Sequence, residues 1–183
     1  ASRVRGRIES ILDWATVRGY RQGDNPARWK GHLDVILPAP AKVQKTEHHA
    51  ALPYVDMSAF MTDLRQRKGI AARALEFTIL TATRSGESRG AEWSEIDLAS
   101  KIWTIPAERM KAGKEHRIPL SESVCKLLES TLRVSGTGSR YVFPSLKGST
   151  LSDMTLTAVL RRMERNDITV HGFRSSFRDW AAE

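Results

Sequence analysis

Two arginines, a lysine and a histidine lie in three short clusters far apart in the sequence. The clusters are Thr81-Ala82-Thr83-Arg84-Ser85-Gly86-Glu87, Met110-Lys111-Ala112-Gly113-Lys114-Glu115-His116-Arg117 and Val170-His171-Gly172-Phe173-Arg174. Each residue type is ordinary by itself. As a set, Arg84, Lys111, His171 and Arg174 are what a phosphate diester calls for: two planar guanidinium forks for the non-bridging oxygens and two groups that carry protons. Other chemistries find less support. Glu47-His48-His49 is the one local metal-like cluster, but neighbouring side chains of an extended segment point opposite ways, so a solvated linker is favoured and no metal site is expected. There is no G-x-S-x-G elbow for a hydrolase. Cys125 is the only cysteine; with no base near it in sequence, it reads as a small packing residue.

The elements that must hold these groups are mostly helices. Val4, Ile8, Ile11, Leu12 and Ala15 make one apolar stripe over 3–19, with Arg3, Arg5, Arg7 and Arg18 off it. Residues 38–52 are rich in Pro, Ala and Lys and read as a linker. Asp56 is the expected N-cap of the next helix, with Val55 and Phe60 as its staple pair; Met57, Phe60, Met61 and Leu64 face inward to about Arg67. A helix over 70–83 is apolar nearly all round and should be the central buried one, with Arg84 at its C-terminal end, where the dipole favours a cation.

Three strands are expected next, at Trp93–Asp97, Ile102–Ile105 and His116–Leu120, with Lys111 and Lys114 on the long connection before the third. Ser121 should cap a helix with Val124, Leu127, Leu128 and Leu132 inward, and Tyr141–Pro144 should be a buried connector after a loop at 136–139. Ser152 should cap another helix, with Leu156, Val159, Leu160 and Met163 inward and Arg161, Arg162 and Arg165 outward, either facing DNA or simply solvated. The last helix starts near His171. Phe173, Phe177 and Trp180 are spaced to pack inward, while His171, Arg174 and Arg178 form a polar stripe on another face. The fold class is therefore mixed, mainly α with a small three-stranded antiparallel sheet.

The chain has 183 residues, 40% of them hydrophobic, and a net charge of +8 with a pI near 10.0. That excess points to a polyanion, nucleic acid before membrane. No apolar run approaches the roughly 20 residues that span a bilayer, and no secretory signal is visible. With a single cysteine no internal disulfide can form; a cytoplasmic setting is expected. Both ends read as cut inside helical patterns, so a fragment is expected.

These residues resemble the tyrosine recombinases, the site-specific DNA integrases, with prophage and genomic-island integrases nearest in pattern. The Arg84 segment is similar to the family's T-G-x-R-x-G-E box, with Ala82 in place of glycine. Trp103 to Lys111 and His116 to Ser121 look like the second and third strands with the catalytic lysine between, and His171-Gly172-Phe173-Arg174 matches the H-x-x-R box. The resemblance covers most of 53–183; residues 1–37 look like the end of the family's core DNA-binding domain. It implies that Arg84 and Arg174 clamp the scissile phosphate, that Lys111 is the general acid and that His171 assists. It also implies attack by a tyrosine to give a 3′-phosphotyrosyl bond, with no metal or cofactor. Arg3, Arg7, Lys114, Arg161 and Arg162 are the expected contacts to double-stranded DNA at an attachment site. Tyr20, Tyr54 and Tyr141 match no nucleophile motif, so the tyrosine is expected beyond residue 183 and the fragment is expected to be inactive and monomeric alone. The whole protein is expected to act as a tetramer on DNA. Two other readings stay open: a non-catalytic DNA-binding remnant of an integrase, and a type IB topoisomerase-like enzyme.

Overall fold

The structure is a computed structural model that describes residues 2–38, 49–135 and 138–183. The expected linker falls largely on 39–48, and half of the expected 136–139 loop on 136–137, both outside the described residues. Contacts divide the chain into two units, residues 1–48 and 49–183.

The first unit is helix α1 (Ser2–Val17), the turn that folds back on it, and short helical turns at Trp29–Leu33 and Asp34–Ile36. Asn25 is 3% exposed and ties the turn down: its Nδ2 donates to the Glu9 carbonyl and to Asp13 Oδ1, each at 2.8 Å. No residue of α1 is buried, and Val4, Ile8 and Ile11 of the apolar stripe are exposed.

The second unit is built around one buried helix. A turn at Tyr54–Asp56 leads into α2 (Met57–Gln66), whose inner face is Phe60, Met61 and Leu64. The expected cap and staple do not form. Asp56 already has helical φ/ψ and its side chain caps nothing, and Val55 is 70% exposed, because the preceding turn carries it away from Phe60. Gly69, at φ 98°, starts α3 (Ile70–Thr81), which buries Ala72, Ala74, Leu75, Phe77 and Thr78 and packs against α2, α4 (Ser85–Arg89), α5 (Glu122–Ser135) and α6 (Thr155–Arg162). Its one buried carboxylate, Glu76, is neutralised by Arg65 Nε at 2.7 Å and Arg73 Nη1 at 2.9 Å.

The sheet has the expected three antiparallel strands in the order β1 (Ile96–Asp97), β2 (Ile102–Ile105), β3 (His116–Pro119). Residues 93–95, expected as strand, form a helical turn instead, leaving β1 two residues long. Trp103 pairs with Ile118 across the ladder, and both face inward with Ile105. Trp103 and Phe143 pack on Phe77 of α3 with ring centroids 4.9 and 5.2 Å apart, so the sheet and the 141–144 connector are seated on the central helix.

Ser121 caps α5 as expected, its Oγ accepting from the Val124 amide at 3.4 Å. Leu156, Val159, Leu160 and Met163 are buried on and just after α6, as the spacing predicts. Ser152 does not cap α6: its hydroxyl meets that of Thr155 at 2.9 Å, and Met154 occupies the cap position. The last helix, α7 (Gly172–Ala181), buries Phe173, but Phe177 and Trp180 are 48% and 59% exposed and lie against each other at 5.7 Å. The spacing put all three on one face; the core beneath α7 reaches only the first turns. Among the described residues no helix is long and apolar enough to cross a membrane.

Candidate active site

Arg84 does not continue the central helix. Ala82 stops α3 in the left-handed conformation, at φ 50°, and the chain reverses so that Arg84 becomes the N-cap of α4. A helix N-terminus disfavours a cation. Glu87, in the first turn of α4 and 7% exposed, offsets that: it accepts from the Arg84 amide at 2.9 Å and from Arg84 Nη1 at 2.7 Å. The guanidinium stays 48% exposed, so the pair orients Arg84 without burying it. Beneath it, buried Thr83 joins hydroxyls with Ser88 at 2.6 Å and Thr81 at 2.9 Å, which locks the reversal.

Arg174, on α7, is half-buried and donates through Nη1 to the Ala82 carbonyl. The two arginines are thereby brought to the same turn of backbone. His171 occupies the N-cap position of α7. His171 is exposed, yet partial desolvation holds its imidazole below the usual histidine range, and the charges of His49, Arg174 and Arg84 add to that in this order. Arg178 turns to its neighbour Asp179 instead.

The segment 49–52, read from its composition as the end of the linker, packs on this unit. The Ala50 carbonyl accepts from the Thr169 amide at 2.9 Å and from Thr169 Oγ1 at 3.2 Å, Ser176 donates to the Leu52 carbonyl, and Leu52 is 2% exposed. Gly172 lets this segment cross α7: a Cβ there would stand 2.1 Å from the Ala50 oxygen. His49 is not a free linker side chain, since its ring lies 4.6 Å from that of His171.

Lys111 is exposed on the β2–β3 loop. The base of its loop is held, however. Arg109 ion-pairs with Glu95, which also accepts from Trp103 Nε1 at 3.0 Å, and its Nη2 donates to the Glu87 carbonyl at 2.7 Å. Arg109 passes close to Gly90, where a Cβ would stand 2.9 Å from its Nη2, the movable end of the side chain. A cleft of about 770 Å³ opens between the end of α3 and α7, lined by Ala82, Thr83, His116, Arg174, Ser175 and Arg178 among others. A larger one, about 930 Å³, lies at the other end of α3 near Ile70 and Leu146 and gathers none of these groups. Among the described residues no three His, Cys, Asp or Glu side chains gather in a metal-binding group. Cys125 is 6% exposed, and burial pushes its thiol up, away from the reactive thiolate.

Arg3 and Arg7 are exposed on α1, Lys114 on the loop, and Arg161 and Arg162 on the last turn of α6. Sequence reading passed over Glu87 as a holder of Arg84, and also Arg109, His49, His116 and Gly172. Only the Arg84–Glu87 spacing of three residues carried a local signal.

Residues 54–183 match the phage integrase family and residues 1–32 the phage integrase central domain. The chain is 32% identical to the prophage integrase IntZ of Escherichia coli over 180 residues, covering 97% of this chain and 42% of that protein. It spans less than half the length of the curated relatives it matches. Its fold is shared with the Tn1549 transposon integrase in complex with circular intermediate DNA (TM-score 0.68, 13% identity, 99% of this chain and 65% of that one). It is also shared with the lambda integrase tetramer bound to a Holliday junction (TM-score 0.64, 17% identity, 94% and 51%). The match over the whole second unit apart from its first few residues, with the Arg84 and His171–Arg174 boxes inside it, places the chain in the phage integrase family, the tyrosine recombinases.

Proposed function

We propose that this chain carries the phosphate-binding part of a site-specific DNA recombinase. In this reading Arg84 and Arg174 take the non-bridging oxygens of the scissile phosphate and offset the charge of the five-coordinate transition state. Lys111 gives a proton to the departing 5′ oxygen as its bond to phosphorus breaks, and His171 hydrogen-bonds the phosphate or assists the nucleophile's proton. The nucleophile is a tyrosine other than Tyr20, Tyr54 and Tyr141, none of which lies in the Arg84, Lys111 or His171 segments. Its Oη–P bond replaces the P–O5′ bond, so the ester energy is kept and the reverse step joins a new strand without a nucleotide cofactor. Arg3, Arg7, Lys114, Arg161 and Arg162 hold backbone phosphates of an attachment site on a prophage or genomic island. The whole protein works in the cytoplasm as a tetramer on DNA, and the 183-residue chain alone is a monomer.

The observation that carries this reading is the bond from Arg174 to the Ala82 carbonyl, which sets one guanidinium beside the turn that presents the other. Duplex binding by the chain tests it. The slope of log affinity against log salt should fall by about 0.9 for Arg84→Ala or Arg174→Ala; unchanged slopes would remove both from the phosphate. A non-catalytic module that only holds DNA is the alternative. Covalent trapping on a nicked site by the whole reading frame separates the two. The recombinase reading requires an adduct that Lys111→Ala diminishes; the remnant forms none.

A further inference from the structure

The segment 49–52 is fastened across α7 at three points. Its ties are the Thr169 bonds to the Ala50 carbonyl, the Ser176 hydroxyl on the Leu52 carbonyl, and the passage over Gly172, where no side chain fits. These fix the backbone on both sides of His171. They also place the His49 ring against the His171 ring, centroids 4.6 Å apart and planes tilted by 56°. His171 itself is a cap residue whose side chain makes no cap hydrogen bond to its own helix.

We propose that His49 is a positioning residue for His171: held by the 49–52 strap, it supports one side of the imidazole and directs the ring toward the Arg84–Arg174 pair. The inference rests on the phosphate-binding reading of that pair, but the contact it invokes exists without DNA. The charged groups acting on His171 are His49 from the strap, Arg174 from its own helix and Arg84 from α4; all three raise the cost of an imidazolium. His49 therefore has two separable effects. Its ring restricts His171 sterically, and its charge, when protonated, opposes that of His171.

The test is an imidazole ¹H–¹⁵N titration of the 183-residue chain, with His49→Phe and His49→Ala beside the native protein. His49→Phe keeps a ring at 49 and removes its charge. The His171 midpoint should move up by several tenths of a pH unit, with the ring-to-ring nuclear Overhauser contacts retained. His49→Ala should lose those contacts and move the His171 tautomer balance, while Thr169 and Ser176 amide signals keep their positions. Identical His171 midpoints and tautomer balance in all three proteins would overturn the proposal. Should His49→Ala not fold, His49→Ser, which also lacks a ring, takes its place: a shifted His171 tautomer balance supports the positioning role, and an unchanged one refutes it. A duplex-binding assay on the same proteins separates this from the function. If no variant or native chain binds DNA, the phosphate reading fails while the imidazole coupling is still read from the titration.

Discussion

Arg174 donates through Nη1 to the carbonyl of Ala82, a residue 92 positions away that sits in left-handed backbone at φ 50°. The reversal at Ala82 does two things at once. It ends α3 and aims Arg84 outward, and it turns its own carbonyl to receive the second arginine. The geometry of the guanidinium pair thus depends on one strained residue.

Left-handed backbone costs alanine about 1 kcal/mol relative to glycine, part of which glycine returns as greater freedom in the unfolded chain. Ala82→Gly should therefore stabilise the second unit by about 0.5 kcal/mol. A β-branched residue fits this conformation worse than alanine. Ala82→Val should lower stability by about 1–2 kcal/mol and weaken duplex binding with it. Denaturant midpoints check this; a valine variant as stable as the native chain would show that the reversal is not under strain.

Arg109 ties the base of the Lys111 loop to the helix that presents Arg84, through the ion pair with Glu95 and the 2.7 Å bond to the Glu87 carbonyl. The Glu95 side chain is 7% exposed, so its charge has little water to fall back on. Arg109→Ala should cost about 2–3 kcal/mol, most of it from the stranded carboxylate. The paired change Arg109→Met with Glu95→Gln should recover more than half of that loss. Arg109→Lys keeps the charge but not the fork, so it should fall between. Equal losses in the single and paired variants, measured by urea unfolding, would count against this network.

The helices were legible because their apolar spacing repeats: Leu156, Val159, Leu160 and Met163 need no knowledge of the rest of the chain. The residue types suited to a phosphate were legible from their chemistry, and the boxes around Arg84 and His171 from their resemblance to the tyrosine recombinases. What the sequence hid was of two kinds. The left-handed turn at Ala82 has no side-chain signature, since alanine is an ordinary helix residue; Arg84 was therefore expected on the end of α3 instead of the start of α4. Long-range ties such as Arg109 to Glu95, or His49 to His171, join residues with no common period. Phe177 and Trp180 show the limit from the other side, because periodicity finds a shared face but not how far a core extends beneath it.

Gly172 is needed for want of space, not for its backbone angle. A methyl group there would stand 2.1 Å from the Ala50 oxygen and 2.8 Å from the Ala51 Cα, both backbone atoms that cannot rotate aside. Gly172→Ala must push the 49–52 strap off α7 and break the Thr169 and Ser176 bonds to it. The loss should be about 2–3 kcal/mol, set against the small gain in helix propensity that alanine brings. Hydrogen exchange offers the sharper measurement. The Thr169 amide, which donates to Ala50 at 2.9 Å, should exchange much faster in the variant. A Thr169 amide as protected as in the native chain would mean that the strap has room to move without coming loose.

Acid should weaken the second unit in two stages. Partial desolvation, then His49 and the two arginines, hold the exposed His171 below the usual histidine range. The unfolded chain therefore binds this proton at higher pH than the folded one, so stability is complete above about pH 6.5 and falls as pH drops from there to the depressed folded value. The second stage belongs to carboxylates held low, among them Glu92 by its bond from Arg140, Asp167 by its bond from Arg165, Asp97 by Ser100 and Glu122 by Lys101. Their contribution is complete above about pH 4.5 and is lost as pH falls through the folded values. His171→Gln should abolish the first stage and leave the second, while Asp167→Asn should reduce only the second. Urea midpoints taken between pH 7 and pH 3 resolve the two, and a first stage that persists in His171→Gln would assign it to another group.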